Sequence, residues 1–183
     1  MILSSSCGIE PGRLVKYKPN VDEALRLSGM SGVKNVVLQR DQYTAEIGPD
    51  DLVWQEEVDR SPAHDCVPVE ANDPLYVLYT SGTTGEPKGV QHPAGGHAVV
   101  NTWTMEALYG MKPGDVWWAT ADLGWIVGHE YVCYSPLLAR NTTVVYEGKP
   151  VGTPDAAQWF RVIAENKVGS LARYLGTALT LYL

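Results

Sequence analysis

Apolar and polar residues follow two different periods along this chain. Short β-prone runs stand at Val33–Gln39, Leu75–Tyr79, Val116–Thr120 and Thr142–Tyr146. Each has strand length, and Gly, Pro, Asn or Asp lies nearby. The run at Leu75–Tyr79 reads as a buried strand, and Met1–Ser6 as the end of another. Between the runs the period changes to that of a helix. Val99, Val100, Trp103, Ala107 and Leu108 share one face of a helix predicted over Gly96–Tyr109, with Gly110 as its stop. Asn20 with Glu23 three residues on predicts a capping box and a short helix through Leu27. Thr153-Pro154 predicts the N-cap and first turn of a helix to Asn166 that buries Ala157, Phe160 and Ala164. Residues 40–73, rich in Asp, Glu and Pro, read as a surface connection with a short helix around Asp51–Asp59. Strands alternating with helices predict an α/β fold with a largely parallel sheet and flanking helices.

Composition narrows the function classes. At 183 residues the chain has one domain by default, able to bury about 70% of its unfolded surface. The net charge is −7, and the 14 Lys and Arg are scattered without a run of three, so no nucleic-acid surface is expected. No stretch approaches 18 apolar residues, so no membrane-spanning helix is expected. The three cysteines include no C-x-x-C, which speaks against a disulfide framework or a cysteine zinc site and fits a reducing compartment. No metal-ligating set is predicted.

The chemistry concentrates in Y-T-S-G-T-T-G-E-P-K-G, Tyr79–Gly89. Gly82, Gly85 and Gly89 let the backbone approach an anion closely, with successive N–H groups turned inward as a nest. Thr80, Ser81, Thr83 and Thr84 add hydroxyl donors, and Lys88 adds a compact charge. That set suits a polyphosphate. The spacing G-x-x-G-x-x-K differs from the Walker A pattern, and Pro87 disfavours a helix starting directly after the loop. The plain alternatives are a Gly/Thr-rich turn and a solvated lysine.

The same string resembles the signature phosphate loop of the AMP-forming acyl-CoA synthetases, the adenylating superfamily. H-P-A-G-G-H (His92–His97), A-D-L-G-W-I-V-G-H-E-Y (Ala121–Tyr131), S-C-G-I-E-P-G-R (Ser6–Arg13) and Y-E-G-K-P-V-G-T-P-D resemble the acetyl/propionyl-CoA synthetase branch. Within it the propionate-preferring, short-chain type is most similar. The resemblance runs from Met1 to about Val168. It implies part of the N-terminal domain of the synthetase fold, acting on ATP, Mg²⁺, CoA and a small carboxylate. It also implies that Ser81, Thr83, Thr84 and Lys88 meet the β/γ-phosphates, that Trp125 and Ile126 line an acyl pocket, and that Glu10, Pro11, Gly12 and Arg13 meet the nucleotide part of CoA. Glu10 stands where acetyl-type relatives often carry an arginine. Trp125 could instead be plain core. His129, a possible site residue, could be a packed histidine whose ring N–H serves a carbonyl.

The resemblance further implies an adenine motif, a ribose-binding aspartate and a C-terminal catalytic lysine, none of which is found in the chain. The expectation is therefore a fragment, inactive by itself, with residues 1–168 in the AMP-binding domain and 169–183 a divergent tail. The parent reaction would join propionate or acetate to CoA through an acyl-adenylate. The alternatives are a truncated non-catalytic isoform or binding module, or another P-loop phosphotransferase. A cytoplasmic location is expected, with the mitochondrial matrix as the alternative.

Overall fold

The computed structural model describes residues 1–10, 12–81, 85–148, 155–175 and 177–182, with side chains described up to residue 172. Its contacts divide the chain into two units: Met1–Cys66 with Glu147–Lys149, and Val67–Tyr146 with Pro150–Leu183.

Unit 1 is built on a parallel sheet. Its elements are β1 (Ile2–Ser5), β2 (Cys7–Glu10), β3 (Arg13–Lys16), α1 (Lys18–Ser28), β4 (Asn35–Leu38), β5 (Asp51–Val53) and α2 (Trp54–Arg60). The sheet order is β1-β4-β5, all parallel. Buried Asn35 ties it together: its Oδ1 accepts from Ser4 Oγ at 2.8 Å and its Nδ2 donates to Asp51 at 3.1 Å. Cys7, Val36, Val37 and Ala45 form the small core. Strands β2 and β3 make an antiparallel hairpin closed by the pair Glu10 and Arg13.

The expected capping box does not form. Helix α1 begins at Lys18, with Tyr17 at the N-cap and proline in its first turn. Proline's missing N–H costs nothing there, and its fixed φ suits the first turn. The helix is therefore already under way at Asn20, and Glu23 pairs with Arg26 instead. Gly29, left-handed at φ +65°, ends it.

Unit 2 comprises β6 (Pro74–Thr80), β7 (Lys88–Pro93), α3 (Ala94–Ala107), β8 (Val116–Thr120), α4 (Ile126–Gly128), a π-helical stretch (His129–Tyr134), α5 (Ser135–Leu138), β9 (Thr142–Thr143), α6 (Gln158–Asn166), β10 (Ser170–Leu175) and β11 (Thr177–Tyr182). Its sheet runs β11-β10-β8-β9, with β8 parallel to both neighbours and β10 antiparallel to β11. Strand β8 is buried on both faces, as a central strand covered on both sides should be. Trp117 packs on one face with Met105, Met111, Val132 and Ala172, and donates from Nε1 to the Tyr131 carbonyl at 2.6 Å. Trp118 packs on the other with Val162, Val168 and Leu171.

Several sequence expectations change here. Strand β6 is mostly exposed rather than buried, because it pairs with β7 in a two-stranded hairpin and not with the unit's sheet. Helix α3 forms as expected but buries His97, Asn101, Thr104 and Met105. Its apolar residues Val99, Val100 and Trp103 face outward. The expected strand at Thr142–Tyr146 shortens to two residues, with Val144 and Tyr146 half-buried against the Trp118 cluster. Helix α6 starts at Gln158 and buries Val162 with Trp159 and Ile163, leaving Ala157, Phe160 and Ala164 exposed. Thr153 and Pro154 lie outside the described residues. Among the described residues no helix is long and apolar enough to cross a membrane.

Candidate functional site

In unit 1 the candidate nucleotide contact is the tip of the β2–β3 hairpin. Pro11 lies outside the described residues. Arg13 Nη2 lies 3.0 Å and its Nε 3.1 Å from the same Glu10 carboxylate oxygen. Both side chains are well exposed. Such a pair is weak in water, so the guanidinium is held in place while remaining available to a phosphate.

In unit 2 the candidate phosphate loop is the turn of the β6–β7 hairpin. Thr80 and Lys88 are its closing pair. Gly82, Thr83 and Thr84 lie outside the described residues. Ser81, Gly85, Lys88 and Gly89 are exposed. Gly85 has φ +85°, a left-handed conformation that only glycine takes without strain. Lys88 and Gly89 sit on β7, so the chain leaves the loop as a strand. That agrees with Pro87 disfavouring a helix and separates the arrangement from a Walker loop, which feeds a helix. Among the described residues Lys88 has no ion-pair partner.

The third segment is Asp122–His129. Asp122 Oδ1 accepts from the Gly124 amide at 2.7 Å, and its carbonyl from the Trp125 amide at 3.1 Å. The turn folds so tightly onto the helix start that a Cβ at Gly128 would lie 2.1 Å from the Asp122 carbonyl oxygen. Trp125 is 72% exposed, which removes the plain-core reading of this residue. Ile126, half-buried, opens α4. His129 Nδ1 lies 2.9 Å from the Trp125 carbonyl. A carbonyl only accepts, so Nδ1 carries the proton, and the structural role weighed for this ring is present.

A cluster missed by the sequence reading lies beside that segment. Tyr76 of β6 stacks on His92 of β7 at 4.6 Å between centroids and on Tyr134 at 5.8 Å, and it lies 5.3 Å from the His129 ring. His97 of α3 meets Tyr76 edge-on, with Nε2 3.4 Å from the Tyr76 hydroxyl. Burial, then Glu130 and Tyr134, push the Tyr76 pKa up to about 12. Burial lowers the pKa of His97, and His92 adds to this, favouring the neutral imidazole. Burial raises that of Glu130 against the opposite pull of His92 and His129. Beneath the cluster, Ser135 Oγ donates to Asn101 Oδ1, and Asn101 Nδ2 donates to the His97 carbonyl at 2.9 Å. This buried network ties α3 to α5. One ligand atom each from His92, His97 and Glu130 lies within 4.8 Å of the others. The available signal was that three of four histidines fall in the two motif segments, but spacing alone could not join positions 92, 97 and 130.

Comparison with known proteins adds three kinds of relative. The family model described as AMP-binding enzyme matches residues 14–172. The chain is 54% identical over 173 residues to proteins named acyl-CoA synthetase short-chain family member 3, mitochondrial, from Rattus norvegicus and Homo sapiens, covering 93% of this chain and 25% of each relative. It is 48% identical over 172 residues to uncharacterized protein PA3568 of Pseudomonas aeruginosa, covering 93% of this chain and 27% of the relative. It is 40% identical over 171 residues to acetyl-coenzyme A synthetase of Laribacter hongkongensis, covering 92% and 26%. The chain thus spans about a quarter of the length of these relatives. The mammalian names, which carry the word mitochondrial, overturn the cytoplasmic location expected from sequence.

Proposed function

The chain belongs to the AMP-binding enzyme family, and from that premise we propose that it is the phosphate-loop segment of an ATP-dependent short-chain acyl-CoA synthetase. The whole protein joins propionate, or a similar short acid, to CoA. ATP and the acid form an acyl-adenylate and pyrophosphate, and CoA then displaces AMP. Mg²⁺ accompanies ATP. The 183-residue chain alone is non-catalytic on this reading. A mitochondrial location follows the mammalian relatives.

The observation that carries the reading is the hairpin turn. Thr80 pairs with Lys88 across the hairpin, and among the described residues this exposed lysine has no ion-pair partner. A polyphosphate fits there, because exposed donors and an uncommitted cation can follow the charge that grows on the leaving pyrophosphate. Ser81, Thr83, Thr84 and Lys88 are assigned to that charge, with Thr80, Gly82, Gly85 and Gly89 shaping the loop. Trp125 and Ile126 are assigned to the acyl pocket, where bulk keeps the space small. Exposure of Trp125 supports this, since nothing in the core claims it. Glu10, Pro11, Gly12 and Arg13 are assigned to CoA, with Arg13 exchanging Glu10 for a phosphate.

The test is Lys88→Ala in a full-length parent. Losing a hydrogen bond to a charged phosphate costs about 1.5–3 kcal/mol, roughly ten- to a hundredfold in adenylation rate. Pyrophosphate leaves in the first half-reaction, so synthetic propionyl-AMP plus CoA bypasses the defect. Equal slowing with propionyl-AMP would remove Lys88 from the pyrophosphate side.

A further inference from the structure

We propose that His92, His97 and Glu130 form a binding site for one divalent transition-metal ion of zinc type, distinct from the magnesium that accompanies ATP. The three side chains come from three separate elements of unit 2: β7, α3 and the π-helical stretch. Each offers one ligand atom within 4.8 Å of the other two, and no other set of three His, Cys, Asp or Glu does so among the described residues.

The donor set selects the ion. Two imidazoles and one carboxylate suit zinc, leaving a fourth position open to water. Magnesium and calcium prefer all-oxygen sets. A second observation points the same way. His97 is 6% exposed, and its Nδ1 has no hydrogen-bond partner among the described residues. A buried polar atom without a partner is uncommon and costly. The unpartnered nitrogen leaves this buried imidazole with unused ligand capacity, its Nε2 lying 3.4 Å from the Tyr76 hydroxyl.

The surroundings are built to hold such ligands. Tyr76 stacks on His92 and abuts His97 edge-on, and the Asn101–Ser135 network fixes the helix that carries His97. Zinc bonds of about 2.0–2.2 Å bring ligand atoms to roughly 3.4 Å from one another. The site must therefore contract by up to about 1.4 Å, which half-buried His92 and Glu130 can supply by changing rotamer.

The experiment titrates the 183-residue chain, carrying Cys66→Ser and Cys133→Ser to remove the exposed thiols, with Co²⁺. The expected result is a visible ligand-field spectrum that saturates at about one equivalent, is displaced by Zn²⁺, and weakens at least about tenfold in His92→Ala and in Glu130→Gln. Circular dichroism shows whether each variant keeps its fold, and Glu130→Gln, nearly isosteric, keeps the test open if His92→Ala does not. Absence of saturable binding overturns the site. So does binding that survives Glu130→Gln unchanged, or binding that follows His64→Ala instead. The readout needs no ATP, so its failure leaves the Lys88 reading untouched.

Discussion

The two units are held by different forces. Among the described residues, seven ion pairs lie in unit 1 and one, Arg161 with Asp155, in unit 2. The ring-on-ring contacts fall in unit 2, from the Tyr76 cluster to the Trp118–Trp159 pair. Unit 1 has a thin core and leans on charge. Unit 2 packs indoles and phenols against a covered strand. The difference teaches where each unit is vulnerable: unit 1 to titration and to loss of a partner, unit 2 to loss of volume.

The two largest expected effects fall one in each unit, and the first breaks unit 1 at its one buried pair. Lys18 Nζ lies 2.8 Å from Asp51, both side chains being 8% exposed, and also meets Asp22. Asp51→Ala leaves the buried ammonium with only the more exposed Asp22 and costs about 3 kcal/mol or more. Trp117→Ala in unit 2 costs about 3–5 kcal/mol through the cavity it leaves, but without a pH dependence. The pH signature separates them. Burial alone would raise the Asp51 pKa, yet Lys18, the Gly48 amide and Asn35 together hold it below its ordinary 3.8. A lowered carboxyl pKa means the stabilisation is complete above that ordinary value and is lost as pH falls through the folded one. Segment-resolved hydrogen exchange should show residues 35–53 opening in acid before 116–120. Equal opening of both segments would break the contrast.

A smaller effect sharpens it. Trp125 is a ring in the ring-packed unit that stays largely exposed. Its loss should therefore move specificity and not stability. Trp125→Gly or Ile126→Gly in a full-length parent should shift preference toward longer acids, a methylene being worth about 1–3 kcal/mol. Unchanged kcat/KM ratios across acetate, propionate and butyrate would take both residues out of the acyl pocket.

How much of this was legible in the sequence follows the same line. The strand Val116–Thr120 was readable as a short apolar, β-prone run, and the helix over Gly96–Tyr109 from its helical spacing of apolar residues. Which side of them is covered was not. Periodicity records where apolar residues sit, and α3 turns Val99, Val100 and Trp103 outward while burying His97 and Asn101. The phosphate-loop string was readable as chemistry, yet the strand after it was not, because K-G-V-Q-H-P takes its extended form by pairing with β6. The imidazole cluster was invisible for a third reason: it needs the loop between β8 and α4 to bring position 130 back to positions 92 and 97.

The smallest effect concerns the exposed pair Glu10–Arg13. Glu10→Gln should alter stability by no more than about 0.2–1 kcal/mol, as expected for a solvated pair. It should also tighten CoA binding slightly by freeing Arg13, measured as a lower KM for CoA in a full-length parent. A KM that rises instead would mean that Glu10 positions the guanidinium rather than competing for it.

The π-helical stretch His129–Tyr134 has one further consequence. Its wider turn accommodates a residue more than an α-helix would, so the stretch acts as a phase shifter between the two short helices it joins. A helix turns about 100° per residue. Deleting one residue there would let the ladder close as an α-helix and swing everything upstream by that angle relative to Ser135. Trp125, Ile126 and His129 would then point along a different bearing while every residue kept its identity. Orientation in this segment is written in residue count as much as in residue type, as at π-bulges in other proteins.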